Sequence, residues 1–253
     1  MKKTLLVLTA LLILSACSKK EETSPADTNV HITGNVKGFK KGKLFLTRVN
    51  DTAAVVLDTI NIDGTSQFES HIKLDSPEML YLVIDRVSSN SMDDNLPVFA
   101  QAGNIKIETS LDAFYFGAKV TGSKNHDLYT EFLTLKKRIT DTNLDITEKE
   151  LMARKKNNVA QIDSLEKSKK NNEARLYLAT ANFAVNHATF DIAPYLAVKE
   201  IPNINMKYLL MIEGKLSPEV KKSFYGKQLA KLIAYRKETE PAAAAPVAPA
   251  PAK

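Results

Sequence analysis

The hydrophobic repeat of this 253-residue chain changes once, at Gly122–Ser123. Before that point apolar and polar residues alternate, starting with residues 30–36, and this alternation predicts β-strands with one buried face. After it the apolar residues recur along one face of a helix, as Leu128, Phe132, Leu135 and Ile139. A chain that completes its strands before its helices begin is predicted to fold as an α+β protein.

About eight short strands are predicted before Gly122, bounded by turn signals such as Asp63–Gly64. Strands at intervals of roughly 8 to 12 residues are typical of an antiparallel sandwich or barrel. We therefore predict an N-terminal antiparallel β-sandwich over residues 30–122.

The last predicted strand, residues 114–121, opens with the aromatic run Phe114–Phe116. Alternation would place Phe114 and Phe116 on one face, in the core, and Tyr115 on the other. An exposed Tyr115 on a sandwich surface is also a candidate contact for a peptide or a glycan.

The helical segment is predicted over residues 123–237, either packed against the sandwich or extending from it. A capping box at Thr147–Glu150 predicts a second helix, charged and half exposed, that runs to about Lys170. Ser217–Pro218–Glu219 predicts the start of the last helix, because serine is a favoured N-cap and proline is tolerated in the first turn. Further helices are predicted over residues 176–185, 190–198 and 206–212.

Cys17 is the only cysteine in the chain, and the residues before it indicate its role. Lys2 and Lys3 precede an apolar run, Leu5–Leu14, which at about ten residues is too short to span a bilayer and is typical of a signal peptide. The following Leu-Ser-Ala-Cys resembles the lipobox of bacterial lipoproteins, in which the cysteine thiol accepts a diacylglyceryl group. We predict a signal peptide over residues 1–16 and a lipid-bearing Cys17.

A polar tether is predicted over residues 17–29 between the lipid and the first strand. The two or three acyl chains of a lipoprotein would hold the chain firmly at a membrane, predicted to be the outer membrane of the cell envelope. Lys20–Glu22 resembles the export signal of surface-displayed lipoproteins, and an ordinary solvated tether explains it equally well. The periplasmic face and the cell surface therefore both stay open.

Four stretches of the predicted sandwich and one later stretch carry a resemblance to a known family. They are ITGNVKGFKKGKLFL, LDTINIDGTSQFES, PVFAQAGNIKIE and KVTGSKNHDLY, followed in the helical segment by SPEVKKSFYGKQLAKLIAYRK. Together they resemble the domain of unknown function 4369 and extend over about residues 30 to 237. The resemblance implies the N-terminal part of a lipoprotein whose C-terminal part is a thioredoxin-like thiol-disulfide oxidoreductase.

The sequence departs from that family after the last helix. Longer members continue into a thioredoxin domain with a C-x-x-C motif, whereas this sequence continues into residues 238–253, dominated by proline and alanine. Thiol-disulfide exchange needs a thiolate and a resolving partner, and no such pair is present. Redox catalysis is therefore assigned to no position, and the tail is predicted to be disordered.

Other candidate sites are weak as sequence patterns. Ser70–Lys73 and Ser164–Lys167 match S-x-x-K, the nucleophile motif of penicillin-recognising enzymes, without its companion motifs. The stretch Asp58–Gly64 lacks the terminal acids of a calcium loop and predicts a hairpin turn. Met92–Asn95 offers oxygen atoms to a cation, although acidic loops are usually only solvated.

The four histidines, His31, His71, His126 and His187, show no metal-ligand spacing. No metal or cofactor is therefore expected. No nucleic acid is expected either, since the basic residues behind the net charge of +6 lie in short groups near acids. The sequence predicts a protein that is not an enzyme: a membrane-anchored envelope lipoprotein that binds or scaffolds an envelope protein partner. The alternative is an accessory partner of a separate thioredoxin-like oxidoreductase. A hydrolase with an unrecognised site is a third possibility.

Overall fold

A computed structural model describes residues 27–50, 53–86 and 91–240. The predicted signal peptide, Cys17, most of the tether and residues 241–253 lie outside these ranges. Among the helices that are described, none combines the length and the apolar character needed to span a membrane.

The described strands form two four-stranded sheets, as the alternating pattern predicts. The first sheet has the strand order β4-β1-β7-β8 and the second has the order β3-β2-β5-β6. The strands are β1 (Val30–Lys37), β2 (Lys41–Asn50), β3 (Ala53–Asp63), β4 (Gln67–Ile72), β5 (Glu78–Ile84), β6 (Asn95–Ala100), β7 (Gly103–Ser110) and β8 (Lys119–Thr121). The predicted α+β class, with N-terminal sheets followed by helices, is confirmed.

The sheets are antiparallel except at the centre of the first one. There β1 and β7 pair in parallel, with Val30 opposite Gly103 and Lys37 opposite Ser110. Side chains that point inward from both sheets share one core, which explains the alternation in the sequence. Its fully buried members include Ile32, Val36, Leu44, Leu46, Leu80, Leu82, Val98 and Ile107.

The aromatic run Phe114–Phe116 is not part of a strand, so the predicted alternation was wrong. Residues 111–117 form turns, and β8 begins only at Lys119. The hydroxyl of Thr109 donates to the carbonyl oxygens of Ala113 at 3.2 Å and Phe114 at 2.8 Å, which folds the chain back. Phe114 is buried in the sandwich core, whereas Phe116 is 79% exposed.

Within the described residues 124–240, six α-helices follow the strands: α1 (Lys124–Lys155), α2 (Val159–Asn186), α3 (Ile192–Lys199), α4 (Met206–Lys215), α5 (Pro218–Lys222) and α6 (Phe224–Thr239). The predicted helix start at Thr147 was wrong, because Thr147 lies inside α1 and its hydroxyl donates to the Asn143 carbonyl at 2.8 Å. The chain breaks at Asn157, whose φ is 50°, and Asn158 caps α2 by accepting from the Gln161 amide at 3.2 Å.

Two serines divide the end of the helical segment. Ser217 caps α5 as predicted, accepting from the Val220 amide at 3.3 Å. The predicted last helix is interrupted at Ser223, whose side chain accepts from the Gly226 amide at 3.3 Å and so caps a separate α6. The region predicted as a helix over residues 176–185 is the second half of α2.

The helices pack against the outer face of the second sheet. Met79 of β5 and Phe99 of β6 point away from the sandwich core into an apolar cluster with Leu128, Phe132, Phe183, Ile192, Tyr195, Leu196 and Tyr225. Polar contacts reinforce this junction: the Tyr225 hydroxyl accepts from the Met79 amide at 3.1 Å, and Ser123 donates to the Phe99 carbonyl at 2.6 Å. The helical segment is therefore packed against the sandwich and does not extend away from it, which is one of the two arrangements predicted from the sequence.

Candidate functional site

The helices cover only part of the outer face of the second sheet, and the remainder forms a groove. Its floor is made by alternate residues of three strands, Phe45 and Thr47 of β2, Tyr81 and Val83 of β5, and Pro97 of β6. These residues share a face because Phe45 pairs with Val83, Thr47 with Tyr81 and Tyr81 with Pro97. We call this surface the sheet groove.

Two separate parts of the chain provide the walls of the sheet groove. Tyr129 projects from the first turns of α1, and Tyr115 and Phe116 come from the turns between β7 and β8. The groove has a volume of about 810 Å³, within the range of small-molecule sites. Its remaining lining residues are Val49, Ala54, Val56, Asp93 and Asn95.

The open end of the sheet groove exposes apolar side chains to water. Val49 is 43% exposed, Val56 is 53% exposed and Phe116 is 79% exposed. Clustered exposed apolar residues of this kind mark interaction surfaces more often than isolated ones do. The hairpin of β2 and β3 and the turn at Phe116 thus present an apolar rim.

The polar groups of the sheet groove include Tyr81 and Tyr129, which stay protonated at neutral pH. Burial raises the pKa of Tyr81, and the nearby charge of Glu200 adds to the effect. Burial also raises the pKa of Tyr129, with smaller contributions from Tyr115, Tyr81 and Glu200. A neutral phenol can donate one hydrogen bond and accept others, so these hydroxyls can orient a ligand without carrying charge.

A second group of chemically competent side chains lies on the outer face of the first sheet. His31 of β1 and His71 of β4 are directly opposite in the antiparallel pair, and Glu69 lies two residues before His71. Glu69 Oε1 is 2.6 Å from His31 Nε2 and 2.9 Å from His71 Nε2. The imidazole rings stack with their centres 4.3 Å apart and their planes 6° apart. We call these three residues the histidine trio.

Hydrogen bonds from both imidazoles lower the pKa of Glu69, the one to His31 contributing most, so its carboxylate is ionised. Asn104 of β7 supports the trio from the other side of β1, with its Oδ1 at 3.3 Å from His31 Nδ1. The trio is not apparent as a sequence motif because its histidines are forty positions apart. The usable signal was strand pairing, since aligning β1 with β4 places His31 opposite His71.

Residues 30–129 match the family model described as Domain of unknown function (DUF4369). The chain contains a DUF4369 domain. No curated protein and no solved structure matches the chain. The DUF4369 match includes all eight strands and the start of α1, so the floor of the sheet groove, Tyr129 and the histidine trio lie within it. The predicted continuation of the resemblance to residue 237 lies beyond the match and stays a prediction.

The serines of the two S-x-x-K matches lie in different settings. In the DUF4369 domain, buried Ser70 donates to Asp58 Oδ2 at 2.6 Å. Ser164 is exposed on α2, and its backbone carbonyl accepts from Ser168 at 2.9 Å. The turn predicted at Asp63–Gly64 is present at the end of β3, with Gly64 at a φ of 89°. The predicted hairpin was wrong, because the turn leads from β3 to β4 and these two strands belong to different sheets.

The other predicted candidates also lie in structural contacts. His126 Nδ1 accepts from the Phe99 amide at 3.2 Å, and His187 Nδ1 lies 2.9 Å from the Phe183 carbonyl. In the loop before β6, Arg86 Nε lies 2.7 Å from Asp94 Oδ1. The His126 contact joins the helices to the DUF4369 domain, whereas the other two contacts lie at the end of α2 and in the loop before β6. Of the predicted stretch Met92–Asn95, Asp93 and Asn95 line the sheet groove.

Proposed function

We propose that this protein is a non-catalytic binding module that holds an extended apolar segment of a partner protein in the sheet groove. The observation that carries this proposal is the groove itself, an aromatic-walled trough of about 810 Å³ on a sheet face that the helices leave uncovered. Sites with mostly apolar walls and a few polar groups are typical of ligand binding.

The strand beside the groove favours an extended chain as the ligand. Among the described strands β3 pairs only with β2, so its other edge is open to a further strand. Ala54 and Val56 of β3 line the groove, while Val55 between them is 38% exposed on the opposite face. A peptide added along this edge would gain backbone hydrogen bonds from β3 and place alternate side chains toward the groove.

The side chains around the groove suit binding better than catalysis. Tyr81 and Tyr129 have raised pKa values and would act as hydrogen-bond partners for a peptide backbone or side chain. The walls contribute aromatic surface from Tyr115, Phe116 and Tyr129, and aromatic residues carry much of the energy at protein interfaces.

The proposal includes the setting suggested by the N-terminal sequence. A lipid on Cys17 would hold the module at the outer membrane, with residues 18–29 as the connection to β1. The supporting observation is the succession of basic residues, apolar run and Leu-Ser-Ala-Cys. The role of accessory partner to a thioredoxin-like oxidoreductase stays a prediction from the family resemblance.

Binding in the groove is tested with the variant Val56→Asp and anilinonaphthalene sulfonate, a dye with an apolar ring system and one sulfonate group. Because Val56 lines the groove, the carboxylate should disfavour an apolar ligand and weaken dye binding at least about tenfold. The matched control is Leu144→Asp, which places the same change on a 71% exposed residue of α1 and should leave the dye affinity unchanged. Equal dye affinities for all three proteins would contradict the proposal.

The peptide preference is tested by displacement of the bound dye. A synthetic peptide of alternating valine and threonine should displace it, whereas the same peptide with lysine in place of valine should not. Displacement by both peptides, or by neither, would contradict an extended apolar ligand.

The membrane anchor is tested with Cys17→Ser in a bacterial host. Serine lacks the thiol that accepts the diacylglyceryl group, so the variant should remain an uncleaved precursor and take up no fatty-acid label. Metabolic labelling with a fatty-acid analogue measures this directly, with the unchanged chain as the labelled control. Label on the serine variant would overturn the assignment of Cys17.

A further inference from the structure

We propose that His31, Glu69 and His71 bind a divalent transition-metal ion, with Zn²⁺ as the preferred ion, on the outer face of the first sheet. This site would be separate from the sheet groove, which lies on the outer face of the other sheet. Asn104 acts as a positioning residue for His31.

The candidate ligand atoms lie close together. One nitrogen from each imidazole and one oxygen of Glu69 all lie within 4.8 Å of one another. Zinc binds imidazole nitrogen and carboxylate oxygen at about 2.0 to 2.2 Å, so three such ligands around one ion are separated by roughly 3 to 3.5 Å. The observed separations of 2.6 and 2.9 Å from Glu69 Oε1 would open only slightly to admit the ion.

The two ring nitrogens of His31 face two different oxygen atoms. Asn104 Oδ1 lies 3.3 Å from His31 Nδ1, and Glu69 Oε1 lies 2.6 Å from His31 Nε2. A nitrogen lone pair and a carboxylate oxygen at 2.6 Å repel each other unless a proton or a metal ion lies between them. A dication would satisfy Glu69, His31 and His71 together.

The supporting contact to Asn104 is the kind that metal-bound histidines make. Such histidines generally donate their second ring nitrogen to a carbonyl or carboxylate oxygen, which fixes the tautomer and the orientation of the ring. Asn104 stands directly opposite His31 in the parallel pair of β1 and β7, so the sheet itself sets their spacing.

The scaffold under the trio is rigid, which lowers the cost of ordering the ligands. β1 lies between β4 and β7, and the ligands come from paired strands rather than from loops. The ligand set also indicates the metal: two nitrogens and one carboxylate suit zinc and its neighbours, whereas calcium and magnesium prefer oxygen ligands throughout. The side chains are 35 to 59% exposed, so water can complete the coordination.

The direct test is a titration of the purified, tag-free full chain, stripped of metal with a chelator, with Zn²⁺ in a calorimeter and with Co²⁺ in a spectrophotometer. One ion should bind per chain, and Co²⁺ should develop a visible absorption band. His71→Ala and Glu69→Gln should each weaken Zn²⁺ binding at least about tenfold. Because the ion would join β1 to β4, Zn²⁺ should also raise the melting temperature of the unchanged chain more than that of His71→Ala or Glu69→Gln.

Three further variants make the test specific. Glu108→Gln removes an acid that faces outward on β7 and pairs with Lys106 at 2.8 Å, and it should leave Zn²⁺ binding unchanged. Asn104→Ala should weaken binding by about 10- to 100-fold, whereas Asn104→Asp should restore it by supplying a carboxylate to His31. Circular dichroism checks that each variant is folded.

Two outcomes would overturn the proposal. Zinc binding that is unchanged in both His71→Ala and Glu69→Gln would place the ion elsewhere on the chain. Absence of Zn²⁺ binding and of a Co²⁺ band in the unchanged chain would show that the trio is only a hydrogen-bonded surface cluster.

Discussion

Replacing Phe132 with alanine is expected to lower the free energy of unfolding by about 3 to 5 kcal/mol. Phe132 is fully buried in the cluster that joins the helices to Met79 and Phe99, and its ring lies 5.7 Å from that of Phe183. Truncation removes apolar contacts and leaves a cavity that the surrounding strands and helices cannot readily fill. Urea denaturation followed by circular dichroism measures the loss.

The matched control is Phe116→Ala, which makes the same chemical change at a side chain that is 79% exposed. Its effect on the free energy of unfolding should stay within about 0.5 kcal/mol, because little buried surface is lost. Similar losses for Phe116→Ala and Phe132→Ala would show that the junction does not hold the helices on the sandwich. The Phe116 variant also serves the groove assay, because Phe116 forms part of its wall.

The strands could be predicted from sequence because a half-buried sheet imposes a period of two on the residues that face its core. Val30, Ile32 and Val36 are buried in the order that the alternation requires. Alternation does not specify which strand lies beside which, so the parallel pairing of β1 with β7 could not be predicted. That pairing joins residues more than seventy positions apart and depends on the shared core of both sheets.

The helix boundaries were harder to predict because residues that favour a helix start are also tolerated inside a helix. Thr147 satisfies its hydroxyl with the carbonyl of Asn143, four residues earlier, and therefore does not interrupt α1. The actual break uses the left-handed backbone of Asn157, which asparagine adopts more readily than most residues. Its sequence, Lys156–Asn158, carries no stronger signal than several other polar stretches of the same segment.

Neither candidate site appears as a local motif, because each is assembled from separate elements. The histidine trio depends on the register of β1 against β4, and a slip of one residue would turn His31 inward. The sheet groove depends on where the helices stop covering the second sheet, which follows from packing around Phe99 and Tyr195. The aromatic run Phe114–Phe116 was identified as a possible contact surface, although through a strand that does not form.

Gly122→Ala is expected to lower the free energy of unfolding by about 2 to 5 kcal/mol. Gly122 has a φ of 94°, a left-handed conformation that costs about 1 to 2 kcal/mol for a residue with a side chain. The added Cβ would also lie 2.0 Å from the carbonyl oxygen of Asn104, so the backbone of β7 or the start of α1 must move. Urea denaturation measures the combined cost.

Gly64→Ala separates these two contributions. Gly64 has a similar φ of 89°, but an added Cβ there meets no atom within 4 Å. Its substitution should therefore cost only the conformational strain, about 1 kcal/mol, and the difference between the two variants measures the clash with β7. Because Asn104 also supports His31, a displaced β7 in Gly122→Ala should weaken Zn²⁺ binding, whereas Gly64→Ala should not affect it. Equal losses of stability in both variants would show that β7 moves aside freely at Asn104.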